Sequence, residues 1–297
     1  MPVAKIASGI ELAYEERGVG EPMVLVAGIG MQLVAWPEGF LDLLAARGFR
    51  VIVFDHRDVG LSTKLDAAGV PRTGALIARS IAGLQVAAPY TLYDMADDVT
   101  GLFDSLGLTR AHLVGVSMGG MVAQAAAIAH GDRLASLVSM MSHPGRRLLS
   151  VGLPKATLKL LGRAPRTRAE AIEQHLDFFR TVGSTRFARD EVDLAARGGR
   201  AYDRCAYPQG FARHFAAILA TGDLTPRLRR VEVPTLVLHG SVDPVIRAVA
   251  GRETAGAIPG AELHVIDGWG HDLAEGVWPQ LVDAIASHAH AHAPALT

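Results

Sequence analysis

This sequence predicts an α/β fold: a mostly parallel sheet with helices on both faces and an inserted helical block. Three observations predict it. Short apolar runs alternate with stretches of helical spacing, the signature of βαβ units. That rhythm stops near residue 145 and resumes after Pro234. The chain also has material for a large core, with 49% hydrophobic and 20% charged residues in 297.

Taken in order, residues 10–14 read as an early strand after the turn at Ser8 and Gly9. The run MVLVA, 23–27, is a buried strand followed by a glycine-containing loop, and 40–46 is a helix that stops near Gly48. RVIVF, 50–54, is the next strand and runs into the polar loop 55–62. A helix over 92–106 ends at Gly107; AHLVGV, 111–116, is a strand; 119–130 is an alanine-rich helix; 134–140 is again a strand.

The block 145–230 has no clear buried strand. Leu158, Leu160, Leu161, then Ile172, Leu176, Phe178, Phe179, then Phe211, Phe215, Ile218, Leu219 have the spacing of amphipathic helices. It is too long for an ordinary crossover, so it reads as a helical lid over the carboxyl edge of the sheet, where open α/β folds bind ligands. The core is then 1–144 and 231–297, the second part carrying a strand at 235–239, a helix near 247–257, a strand at 262–266 and a helix at 279–287.

Composition excludes several function classes. Lys plus Arg is 29 and Asp plus Glu is 30, so nothing marks a nucleic-acid partner. The short arginine-rich stretch 163–168 contains Pro165 and reads as a solvated loop. The single cysteine, Cys205, reads as a structural lid residue; it cannot pair within the chain, which fits a reducing compartment. No signal-like segment and no run of about 20 apolar residues is present, so the expectation is a cytoplasmic protein with no membrane partner. The tail from Ser287, SHAHAHAPALT, reads as a disordered end rather than a metal site.

The chemistry centres on Gly115-Val116-Ser117-Met118-Gly119, a G-x-S-x-G between an apolar strand and a small-residue helix. A nucleophile in a strained strand-to-helix turn needs neighbours with almost no side chain, and the helix N-terminus beneath it favours developing negative charge. A serine hydroxyl needs a base, and the chain order for such a site is serine, acid, histidine. Asp243, in the loop after the strand 235–239, is the candidate acid, with Asp267 and Asp272 as rivals. His271, in Gly268-Trp269-Gly270-His271 just past the last strand, is the candidate base. His112, His239 and His264 lie in or at the ends of strands and read as core or edge residues.

Backbone N–H groups of Met118 and Ile29 are the expected oxyanion hole, Ile29 coming from the loop Ala27-Gly28-Ile29-Gly30. That G-x-G lacks a third glycine and no G-K-[ST] is present, so a phosphate loop is not indicated. Met31, Trp36, Met121, His143, Phe178, Phe179, Phe211 and Trp269 are the candidate substrate-binding residues, apolar side chains suited to an ester's acyl or alcohol part.

Together Ala27–Gly30, Asp55-His56-Arg57-Asp58-Val59-Gly60-Leu61-Ser62, the serine motif, Asp243 and Gly270-His271 make the sequence resemble the α/β-hydrolase superfamily over nearly its whole length. The D-H-R-D-x-G-x-S stretch looks like the aclacinomycin methylesterase-type branch, with Asp58 where many relatives carry glycine and Ala27 where a histidine is usual. The resemblance implies an eight-stranded, mainly parallel sheet with a helical lid, carboxylic ester hydrolysis and no cofactor; a small-molecule ester substrate, no metal and a monomer or homodimer are the further expectations. Ser117 stands where the superfamily's dehalogenases and epoxide hydrolases need aspartate. Thioester hydrolysis or cofactor-free perhydrolysis on the same residues, or a non-catalytic receptor of this fold, are the alternatives.

Overall fold

The computed structural model describes residues 1–146 and 152–293. Its sheet has eight strands in the order β1-β2-β4-β3-β5-β6-β7-β8: β1 Val3–Lys5, β2 Glu11–Arg17, β3 Glu21–Val26, β4 Phe49–Phe54, β5 Ala111–Val116, β6 Leu134–Met140, β7 Thr235–Gly240 and β8 Glu262–Ile266. β2 pairs antiparallel with both β1 and β4 and the remaining pairs are parallel, so the sheet is the eight-stranded, mainly parallel one expected.

The parallel strands are apolar throughout because both faces are covered. Val24 and Val26 of β3 enter one core cluster while Met23 and Leu25 enter the other, as the two-residue period of a strand requires. The first cluster packs under α3 (Leu92–Ser105) and α4 (Met118–Ala129), the second under α1 (Glu38–Ala45) and α11 (Trp278–Ala291). A capping box at Thr91 and Asp94 opens α3. α10 (Ala248–Ala257) completes the βα rhythm between β7 and β8.

Between β6 and β7 the chain forms α5 (Pro154–Leu160), α6 (Arg168–Val182), α7 (Glu191–Arg204), α8 (Pro208–Thr221) and α9 (Thr225–Leu228). Within the expected insertion 145–230, residues 147–151 lie outside the described ones.

Three elements depart from expectation. β1 is a three-residue edge strand, too short to leave a period in the sequence. A helix, α2 (Thr73–Ile81), fills a stretch that shows no stripe, because Leu76 is its single buried residue. The tail corrects the largest error: α11 runs on to Ala291 with His288 and Ala289 buried. His288 Nε2 lies 3.2 Å from the carbonyl of Pro234, and His290 stacks on Phe49 at 4.8 Å. Alternating His and Ala therefore continues a packed helix; the tail's last four residues, 294–297, lie outside the described ones. No helix among the described residues is long and apolar enough to cross a membrane.

Candidate active site

Ser117 sits between β5 and α4 with φ 55° and ψ −122°, a conformation costly for any residue with a side chain. Its surroundings hold it there. The Ser117 amide donates to the Met140 carbonyl at 3.0 Å, and its carbonyl accepts from Gly120 N–H at 3.0 Å and Ser142 Oγ at 2.7 Å. The flanking glycines are steric necessities: a Cβ on Gly119 would stand 2.0 Å from the Val26 carbonyl, and one on Gly115 2.2 Å from that of Gly119.

His271 Nε2 lies 3.1 Å from Ser117 Oγ, and His271 Nδ1 lies 2.7 Å from Asp243 Oδ2. Asp243 is buried, and its other oxygen accepts from the amides of Val245 and Ile246 at 2.8 and 2.9 Å. One carboxylate thus caps the turn after β7 and orients the imidazole. The rivals are engaged elsewhere. Asp267 is exposed and pairs with Arg186 at 2.6 Å. Asp272 accepts from Ser184, and burial raises its carboxyl above the usual range. His239 is buried, 2.7 Å from the Ile246 carbonyl, and burial lowers its imidazole.

Ile29 lines the cavity above Ser117. Met118 opens α4, so its N–H is among the first-turn donors with no partner inside the helix. Two neutral histidines brace the Ile29 loop. His56 Nε2 lies 3.0 Å from the Ala27 carbonyl; His214 Nδ1 accepts from Gly30 N–H at 3.2 Å, while its Nε2 faces the Arg57 carbonyl at 2.9 Å. Burial pushes His56 down to about 3 and His214 to about 4, so both remain uncharged near neutral pH.

The D-H-R-D-x-G-x-S stretch works as a bracket beneath this loop. Asp55 accepts from the amides of Leu33 and Leu61 at 2.8 and 2.9 Å and pairs with Arg204 of α7 at 2.6 Å. Arg57 grips Asp98 of α3 through two bonds of 2.6 and 2.7 Å. Asp58 has φ 66°, the left-handed region that suits glycine and that aspartate also enters. Its two oxygens take Arg213 of α8 at 2.8 Å each, and Tyr90 donates to one of them at 2.8 Å.

A cavity of about 400 Å³ stands over Ser117 and His271. Met31, Phe178 and Phe179 line it, as expected. Five other candidates do not. Trp36 is turned into the core and stacks on Phe40 at 6.2 Å; Met121 is buried beneath α4. Trp269 is fully buried under the His271 loop and donates to the Asp272 carbonyl at 2.7 Å. Phe211 packs on Gly30 and faces a second cavity of about 240 Å³, where Cys205 also lies. His143 is buried beside His239 and His271, pushed by burial down to about 4.

Residues not anticipated complete the wall: Leu160, His175, Leu194, Arg197, Asp272 and Trp278 among them. His175 was within reach of sequence reasoning, since it lies three and four residues before Phe178 and Phe179 on one helix face.

The family described as alpha/beta hydrolase fold matches residues 21–275. The chain is 26% identical to a rhodomycin D methylesterase of Streptomyces sp. strain C5, with 98% of this chain and 99% of that one aligned. Among solved structures, a thermophilic esterase from Thermogutta terrifontis superposes with a TM-score of 0.72 at 26% identity, 98% of each chain covered. The enol-lactonase of Burkholderia xenovorans LB400 superposes at 0.68 with 25% identity, covering 98% of this chain and 99% of its own.

Proposed function

This chain belongs to the alpha/beta hydrolase fold family, and from that premise we propose that it cleaves carboxylic esters of small to medium hydrophobic substrates through an acyl-enzyme on Ser117. It is a carboxylic ester hydrolase, as are the methylesterase and the esterase it resembles. One observation carries the finer reading: Ser117 Oγ, the His271 imidazole and the Asp243 carboxylate form an unbroken chain of contacts of 3.1 and 2.7 Å at the floor of the cavity.

In this mechanism His271 Nε2 takes the proton of Ser117 as Oγ adds to the ester carbonyl. Asp243 holds the Nδ1–H and stabilises the imidazolium. The amides of Ile29 and Met118 receive the negative oxygen; a single such donor is worth about 3 kcal/mol of barrier. His271 then gives the proton to the departing alkoxide, and the alcohol leaves. Water, deprotonated by the same nitrogen, attacks the acyl-enzyme, and His271 passes that proton to Ser117 Oγ as the carboxylic acid leaves. Ile29, Met31, Leu160, Phe178, Phe179 and Leu194 supply the apolar wall that suits such an ester.

A fluorophosphonate should label Ser117, read by peptide mass spectrometry. Ser117→Ala should lower turnover of p-nitrophenyl esters by about ten-thousandfold or more. Labelling of another residue, or turnover that survives the substitution, would overturn the assignment of Ser117 as the nucleophile.

A further inference from the structure

The loop that carries His271 is held from the insertion side as well as from the sheet. His271 N–H donates to the Val182 carbonyl, the last residue of α6, at 2.8 Å. Gly270 N–H donates to Ser184 Oγ at 3.1 Å, and Ser184 Oγ donates to Asp272 Oδ1 at 2.5 Å. Ser184 N–H closes the ring on Asp272 Oδ2 at 3.0 Å. Further out, Thr185 N–H reaches the Gly268 carbonyl at 2.9 Å.

The two backbones meet without side chains between them. A Cβ on Gly270 would stand 2.4 Å from the Gly183 carbonyl carbon, and one on Gly183 would stand 2.7 Å from Asp272 Oδ2. Ser184 and Asp272 are both buried, and neither side chain contacts Ser117, Asp243 or the imidazole by hydrogen bonding. Both neighbours of the histidine, residues 270 and 272, are therefore fixed by the one serine, and the histidine's own amide by the residue two before it.

We propose that Ser184 and Asp272 form a positioning pair for His271: the segment 182–185 is a fixed strap that sets the imidazole between Asp243 and Ser117. The part of the insertion that ends α6 is then no lid over the base. It is part of the base's mounting, and any opening of the insertion that keeps the base competent must hinge beyond this strap. The proposal takes its catalytic meaning from the serine-hydrolase reading of the site.

The chemistry of the ring makes each substitution informative. Ser184→Ala removes the acceptor of Gly270 N–H and one donor to Asp272. Asp272→Asn is nearly isosteric, yet its amide nitrogen would face a hydroxyl that already accepts from Gly270 and whose own hydrogen then lacks an acceptor. The test measures kcat, KM and the rate of fluorophosphonate inactivation for Ser184→Ala, Asp272→Asn and the double variant, each below its own melting temperature. Proton NMR of the same proteins follows the low-field signal of the His271 Nδ1–H facing Asp243. Each single variant should lose tenfold or more in kcat and in inactivation rate, with KM within about twofold. The double should lose little more than either single, since both break one ring. The low-field signal should broaden or vanish. Lowered melting temperature with kcat, inactivation rate and NMR signal intact would make the ring a structural contact only and overturn the proposal. If wild type turns over no ester, the functional reading fails, while the NMR signal still decides whether the strap sets the imidazole.

Discussion

The two halves of the insertion relate to the core in opposite ways. α8 is built into it. Arg213 and His214 are fully buried, Ala217 joins the main core cluster, and the Arg213 guanidinium rests on Asp58 over the Tyr207 ring. α5, α6 and α7 instead pack in a small cluster of their own, with Phe179, Val182 and Leu194 against Val245, Ile246 and Ala250. The ion pairs between α6 and α7, Arg168 with Asp203 and Arg180 with Glu191, are solvent-exposed, of a kind worth about 0–1 kcal/mol; a buried tie to the core is at the end of α7, where Arg204 meets Asp55. The difference separates two duties. One half fixes the loop that would hold the oxyanion, through His214 and Gly30; the other lines the cavity over Ser117. Substitutions in α8 should therefore read out as stability, and those in α6 as specificity.

Arg213→Met puts the most weight on that division. It leaves the Asp58 carboxylate buried with only Tyr90 and the Leu65 amide, and breaking such a pair costs about 3–5 kcal/mol. At present burial pushes the Asp58 carboxyl up, but Arg213, Leu65 and Tyr90 outweigh it and hold it below its usual value. Adding Asp58→Gly should recover much of the loss, because glycine accepts φ 66° and removes the stranded charge. Denaturant unfolding of the two singles and the double decides it. Additive losses, or an Arg213→Met loss under about 1 kcal/mol, would place α8 with the loosely attached helices.

Acid should attack the same braced half. His56 and His214 are held neutral, at about 3 and about 4 against an ordinary 6.5. The unfolded chain therefore binds protons that the folded one refuses as pH falls below 6.5. Stability is full above that value and declines through the window down to about 4, and for His56 to about 3. Each histidine contributes a slope of about 1.4 kcal/mol per pH unit inside its window. Melting temperatures followed from pH 7.5 to pH 4, in wild type and His214→Gln, should show a steep fall that the variant makes shallower. Equal slopes would mean that His214 is not buried neutral.

What could be read in the sequence follows the same divide. Ser117, Asp243 and His271 were legible because this sheet fixes their order and places each at a strand end, and because glycine near Ser117 has a steric cause. The bracket around Asp58 was visible as a motif, but its partners Arg204, Arg213 and His214 stand some 150 residues on, where nothing local singles out an arginine that will be buried. Ser184 gave no signal, and Asp272 stood out only as a rival acid; the role of both lies in a tertiary ring of hydrogen bonds. The pocket was half legible. Proximity to a strand end does not say which way a side chain turns, so Trp36, Met121 and Trp269 went to the core, while of the three aromatics drawn from the insertion's helical spacing Phe178 and Phe179 face the cavity and Phe211 does not. The buried histidine of the tail was hidden by its polarity, since burial by α11 and Pro234 is decided only once the sheet has formed.

The smallest expected effect tests the other half. Phe178 is half-buried on α6 and faces the cavity, its ring edge-on to Phe179 at 5.2 Å. Phe178→Ala removes apolar wall from a helix face that the main core does not need. A pocket contact of that size should shift discrimination by about 1–3 kcal/mol, or roughly tenfold or more in kcat/KM, for esters large enough to touch it. The acetate ester should be nearly unaffected, so the loss appears only as the acyl or alcohol group grows across a p-nitrophenyl ester series. Unfolding free energy should change by less than in Arg213→Met. A uniform loss for every ester, with stability falling as far as in the α8 variant, would show that α6 carries the fold after all and would erase the distinction between the halves.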